Sequence, residues 1–354
     1  MIKTKPFAEH QSLIVNFCSD KEETKEYAAI FAGYGSGKTW CALCIIEKRK
    51  FRKILVIATN LAIDTTWCDE IRMHSDFRFC VLRGTAKQRV NLLEFAMGQL
   101  NDPSRFGHYH AKNTPMLFLI NYDGVKSIYY ELQQAGFDAI FLDESTKIKT
   151  FDSERTKAIY AISEEIPFRS IMTGFPITEN LAEIYSQIKF LDRGKVFGES
   201  FYAFLHRFFV RLGMKQVIKK KGIKQIIDLI SPFCIVVPDT IKIPKVYKKI
   251  SLELTEEQAG LLNRLMDTFK LELGKVKIDT QYIFTLISKS LQICDGFVQH
   301  IEYEYVEENG KRVRTNKKLS ENLEIVDTNK DEALIEVLDA IDISKNKVVI
   351  WCAF

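Results

Sequence analysis

IFAGYGSGKTW, Ile30 to Trp40, is the stretch on which the fold turns. Three glycines, Gly33, Gly35 and Gly37, lead into Lys38 and Thr39. The apolar run YAAIFA (27–32) comes before them, and a helical pattern over 39–48 follows. In such a strand-to-helix turn, glycines let backbone N–H groups point inward around phosphate oxygens, and the helix N-terminus adds partial positive charge. Lys38 would then reach the β- and γ-phosphates of a nucleotide and the Thr39 hydroxyl would ligate Mg²⁺, with Gly35, Ser36 and Gly37 forming the cradle. The usual pattern is G-x-x-x-x-G-K-[ST], and Ala32 stands where its first glycine belongs. Spacing alone leaves a damaged loop, a coincidental glycine turn and a loop of another class all open.

Around the loop, short β-rich apolar runs alternate with longer amphipathic ones. YAAIFA, KILVIA, FCVL, MLFLI, DAIFLDE and RSIMT are nearly unbroken in apolar character, as strands buried on both faces should be. Between them lie helical patterns such as NLAIDTTWCDEIRMH and TENLAEIYSQIKFL. This alternation predicts an α/β fold, a parallel sheet with helices on both faces. Asp143 and Glu144 close the run DAIFLDE. One carboxylate there could hold a hydrated Mg²⁺ while the next orients and deprotonates a water. Standing alone, such a pair is more often just a solvated turn.

The bulk composition excludes several classes. At 354 residues the chain has room for two domains, and no apolar run approaches the ~18 residues of a membrane span. The N-terminal MIKTKPFAEHQ lacks the apolar core of a signal peptide, so a cytoplasmic location is expected, host cytoplasm if the chain is virus-encoded. Of eight cysteines only Cys41 and Cys44 are closely spaced, in a helical apolar pattern that reads as buried thiols, and His108 and His110 read as surface histidines. The net charge of +4 points to no polyanion, but residues 201–250 hold eleven Lys/Arg against two Asp/Glu. That run is either a solvated face or a nucleic-acid surface.

The pattern A-x-x-G-x-G-K-T, filled by Ala32, Gly35, Gly37, Lys38 and Thr39, resembles motif I of superfamily 2 helicases and translocases. FLDESTKIK resembles their D-E motif II, and RSIMTGFPITENLAEIYSQIKFLD resembles motif III of the Swi/Snf-like branch, with Phe175 in place of a threonine. FAEHQ places Gln11 where the family reads adenine, and ILVIATNLAIDTTWCDEI resembles motif Ia, Trp67 matching its tryptophan. FLINYDGV resembles a segment near the DNA track. The resemblance implies a RecA-like P-loop NTPase fold with ATP and Mg²⁺ as cofactors. It implies catalytic roles for Lys38, Asp143 and Glu144. It implies nucleic-acid contact or coupling at Thr59, Asn60, Asn121, Tyr122, Thr173 and Gly174. It also turns the basic stretch, with Lys219, Lys220 and Lys221, toward DNA.

The same resemblance implies a first lobe over 1–195, a helical protrusion and linker with a hairpin over 196–322, and the start of a second RecA-like lobe over 323–354. LISPFCIVVPDTIKIPKVYKK resembles the crossing between lobes, Thr255-x-x-Gln258 is a capping box, and Asn309-Gly310 marks a hairpin turn. In the family the second lobe supplies an arginine, and no arginine follows Arg314 here. The expectation is a truncated or split motor: an ATP-dependent translocase or helicase acting on duplex DNA, of a compact bacterial or bacteriophage kind, completed by a second polypeptide and touching no membrane. Two alternatives stand beside it, a non-hydrolysing ATP- and DNA-binding module and an RNA remodeller.

Overall fold

The computed structural model describes residues 2–3, 7–19, 25–101, 114–212, 215–238, 249–279, 283–308, 311–341, 348 and 350. His108, His110, the Asn309-Gly310 pair and nearly all of NKVVIWCAF, the expected opening strand of a second lobe, lie outside them. Contacts divide the chain into two compact units, Met1–Pro244 and Lys245–Phe354.

The first unit is built on β1 (Tyr27–Ala32), β2 (Lys53–Ala58), β3 (Arg78–Val81), β4 (Met116–Asn121), β5 (Ala139–Asp143) and β6 (Phe168–Thr173). These are the six runs expected from the sequence. Two short strands, β7 (Phe209–Leu212) and β8 (Lys215–Ile218), make an antiparallel hairpin of their own, and β9 (Cys234–Val237) returns to the main sheet. The sheet order is β3-β4-β2-β5-β6-β1-β9, and every pairing in it is parallel.

Successive side chains of a strand point to opposite faces. Ala29 and Phe31 of β1, with Leu55 and Ile57 of β2, therefore join one core, while Ala28, Ile30, Ile54 and Val56 join the other. The second face is covered by α1 (Glu9–Ser19), α2 (Lys38–Arg49), the short α3 (Asn60–Ala62) and α4 (Cys68–His74). Cys41 and Cys44 are buried there. The first face takes α5 (Ala86–Asn101), α6 (Tyr122–Val125), α7 (Tyr129–Gln134), α8 (Glu154–Ser163), α9 (Ile184–Asp192) and α10 (Phe201–Phe208). Helices on both faces of a parallel sheet are as expected from sequence. No helix among the described residues is long and apolar enough to cross a membrane.

The first unit runs past residue 195, where the first lobe was expected to end. The reason is β9, read as part of a crossing segment, which pairs with β1 in register Ala29↔Cys234 to Ala32↔Val237. Between residue 195 and β9 lie α10, the β7–β8 hairpin and α11 (Gly222–Ile230).

The second unit contains α12 (Glu256–Thr268), the hairpin of β10 (Lys270–Leu273) and β11 (Val276–Asp279), α13 (Ile283–Cys294), the hairpin of β12 (Phe297–Glu308) and β13 (Lys311–Ile325), and α14 (Lys330–Asp339). The expected capping box opens α12: Thr255 accepts from the Gln258 backbone and Gln258 reaches back to Thr255. Its core includes Leu261, Leu265, Leu271, Val276 and Ile293.

Candidate functional site

Parallel strands deliver all their C-terminal ends to one edge, where open α/β sheets place their ligands. The loop after β1, Asp143–Glu144 after β5 and Thr173–Gly174 after β6 meet there, with β6 lying between β5 and β1. Gly35 and Gly37 adopt left-handed backbone angles, φ 72° and 80°, which the cradle needs and a side chain would resist. A Cβ at Gly37 would also collide with the Gln11 side chain. Lys38 opens α2, and its ammonium donates to the carbonyls of Ala32 (2.9 Å) and Gly33 (3.1 Å) at the mouth of the loop. Ser36 is buried, donating to the Gly33 carbonyl at 2.8 Å, and Thr39 is nearly buried beside it.

The loop is braced from α1. Gln11 Nε2 donates to the Ser36 carbonyl at 3.1 Å, and His10 Nε2 lies 3.0 Å from the same oxygen. A trans peptide directs its C=O and N–H oppositely, so holding the Ser36 carbonyl outward turns the Gly37 N–H toward the cradle. Sequence reading singled out Gln11 and passed over His10, whose adjacency to Gln11 was the available signal.

Asp143 is buried, and each carboxylate oxygen has a donor: the Trp67 indole N–H to Oδ2 at 2.9 Å and the Glu144 backbone N–H to Oδ1 at 3.1 Å. Burial pushes the carboxyl above the usual carboxylate range, opposed first by the Trp67 hydrogen bond; Glu144 raises it further and the nearby Lys38 charge lowers it. Lys38 and Asp143 therefore share one site. Trp67 sits in a π-helical turn, Ile63–Trp67, between α3 and α4, a local widening common at functional sites. With Thr39 the carboxylate offers hard oxygen donors suited to Mg²⁺, which takes few protein ligands when phosphates complete its shell.

Glu144 itself stands in the left-handed region, φ 55° and ψ 57°, a strain of about 1–3 kcal/mol that persists only where neighbours enforce it. The Thr173 hydroxyl donates to Glu144 Oε2 at 3.1 Å and accepts the Phe175 backbone N–H at 3.3 Å. Gly174 passes close to the loop, its would-be Cβ 3.6 Å from the Ala32 carbonyl. The exposed ring of Phe175 lies against that of Tyr34, centroids 5.7 Å apart.

A second cluster lies along the same edge. Thr59 follows β2 and caps α3, accepting from the Ala62 N–H, while Asn121 ends β4 and caps α6, accepting from the Gly124 N–H. Asn60 and Asn121 border a cavity of about 420 Å³ whose wall includes Arg83 and Arg89. Arg83 pairs with Asp64, and Arg89 donates to the Ser127 hydroxyl at 2.9 Å. Both arginines escaped sequence reading, although Arg83-Gly84 directly follows the strand run FCVL and Gly84 has φ 93°.

Two of the expected contact or coupling residues have partners within the protein. Tyr122 is buried and donates its hydroxyl to the Asp143 carbonyl at 2.8 Å, so it braces the end of β5 and offers nothing to a surface ligand. Burial, then the Asp143 and Glu144 charges, hold its phenol well above the ordinary range. Lys219 is also committed: its ammonium donates to the last carbonyls of α10, His206 (2.8 Å) and Arg207 (2.9 Å). That geometry neutralises a helix C-terminus. Lys220 and Lys221 are exposed in the turn that opens α11.

The seven-stranded parallel sheet and its glycine loop define a RecA-like P-loop protein. Residues 10–297 match the SNF2-related domain family, and the chain belongs to it. Among solved structures it resembles the Sulfolobus solfataricus SWI2/SNF2 ATPase core in complex with dsDNA, at 19% identity and a TM-score of 0.51 over 83% of this chain and 59% of that one. The Sulfolobus solfataricus SWI2/SNF2 ATPase core domain aligns at 18% identity and a TM-score of 0.50, over 83% of this chain and 58% of the other. Protein p41 of the Acyrthosiphon pisum secondary endosymbiont phage 1 is 28% identical over 217 residues, 57% of this chain and 43% of p41. This chain thus spans well under two thirds of the length of these relatives.

Proposed function

We propose that the chain binds Mg²⁺-ATP at the β1 loop and hydrolyses it in response to duplex DNA, as an SNF2-type translocase. The observation that carries this is the meeting of Lys38 and Thr39 with Asp143 and Glu144 on one sheet edge. In this reading Lys38 leaves the loop carbonyls to hold the β- and γ-phosphates, whose oxygens are stronger acceptors. Thr39 and Asp143 hold Mg²⁺, which supplies charge neutralisation to the transferring phosphoryl group. Glu144 accepts a proton from the attacking water, its carboxylate aimed by Thr173. Gln11 stands on the adenine side of the loop. Thr59, Asn60 and Asn121, with Arg83 and Arg89 beside them, face the nucleic-acid backbone, where clustered arginines suit phosphate.

Family membership and the dsDNA named for the Sulfolobus relative support duplex DNA over RNA. The test is ATP turnover by the chain alone, with no nucleic acid, with duplex DNA and with RNA of equal length. Stimulation by duplex DNA is expected. ATP binding without turnover in all three would make the chain a nucleotide- and DNA-binding module, and stimulation by RNA alone would make it an RNA remodeller.

A further inference from the structure

Behind the site lies a polar link that the roles above leave unused. Gln187 is fully buried on α9, among Ile184, Tyr185, Ile188 and Leu191. An amide in such surroundings is unfavourable unless its atoms are bonded. Here both ends are taken. Its Oε1 accepts from the hydroxyl of Ser145, itself fully buried, at 2.7 Å. Its Nε2 donates to the Pro176 carbonyl at 2.6 Å and more weakly to the Glu183 carbonyl at 3.3 Å.

Ser145 directly follows Glu144, and Pro176 directly follows Phe175. The buried link therefore closes a ring with the surface one. Going round it, Glu144 takes the Thr173 hydroxyl, Thr173 takes the Phe175 N–H, Pro176 takes the Gln187 amide, and Gln187 takes the Ser145 hydroxyl. A left-handed glutamate persists only where its surroundings over-determine it, and this ring clamps it from both sides of its peptide. Resting on the ATPase reading, we propose that Gln187 is a positioning residue for hydrolysis. By joining the turn after β5 to the turn after β6 through its carboxamide, it holds Glu144 where the attacking water must sit. Movement of the β6 turn then reaches Glu144 through two linked paths.

The test uses the full chain with three variants: Gln187→Leu, Ser145→Ala and the two combined. Turnover, ATP affinity and melting temperature are measured for each. Gln187→Leu is expected to keep ATP affinity within about threefold while kcat falls about 10- to 100-fold, the cost of a misplaced base. In the double variant the Ser145 hydroxyl is no longer stranded, so melting should rise above that of Gln187→Leu while kcat stays low. If kcat instead rises with the melting temperature, Gln187 serves packing alone and the proposal falls. Unchanged kcat in Gln187→Leu also overturns it and leaves the ATPase reading intact. A wild-type chain that shows no turnover with duplex DNA overturns both.

Discussion

Asp143 is a carboxylate taken almost out of water. Because burial raises its carboxyl above the usual range, the native state binds that proton more tightly than the unfolded chain does. Its stabilising contribution is present at acid pH and is lost as pH rises through the raised value. Asp143→Asn removes the charge, so its melting temperature should fall less than that of the wild type as pH rises from acid to neutral, while turnover is lost. Trp67 acts in the opposite sense, since its N–H bonds the charged form. Trp67→Phe should push the Asp143 carboxyl further up and move the acid limb of the turnover profile to higher pH; a profile that stays in place would separate Trp67 from the site. Glu144→Gln should leave ATP affinity intact and lower turnover by about 10²–10⁴-fold. Lys38→Ala should instead weaken ATP binding about 10- to 100-fold, as loss of a charge-assisted contact does. Isothermal titration separates these two effects. The types of these residues were legible from the loop pattern and the D-E pair. Which neighbours tune them was not, because Trp67 lies 76 positions from Asp143 in the chain.

At the scale of elements, six strand runs and the α12 capping box were readable because each is a local pattern of burial or capping. The short strand β9 was missed because its four apolar residues lie in a stretch bounded by Pro232 and Pro238, which reads as a crossing segment rather than as a seventh strand. Tyr122, singled out through the resemblance, stands at a strand end, and only the neighbouring strand shows that its hydroxyl is taken by the Asp143 carbonyl. The lysine run after β8 divides in the same way. Lys219→Met should cost about 0.5–1 kcal/mol of stability by uncapping α10 and leave the salt dependence of DNA binding unchanged. Reversing Lys220 and Lys221 to Glu should leave stability alone and reduce the salt slope by about one unit per lost phosphate contact. Equal salt slopes for wild type and the reversed variant would return these two lysines to an ordinary solvated surface.

For the molecule as a whole, every residue assigned to the nucleotide lies in Met1–Pro244, a unit with its own two-sided core. A chain ended after Pro244 is therefore expected to fold and to bind ATP within about threefold of the full chain, as a domain with its own core does. Loss of that binding would place part of the site in the second unit. The sequence by itself determined the parallel sheet, the loop class and the identity of the acids, because strand burial and glycine turns are written in neighbouring residues. Only the tertiary structure decided which polar groups are spent within the protein and which remain to face a ligand. The lysine that caps a helix, the tyrosine that braces a strand and the glutamine that closes the ring behind Glu144 all find partners far along the chain, and a buried donor or acceptor takes whatever partner the packing brings within hydrogen-bond reach.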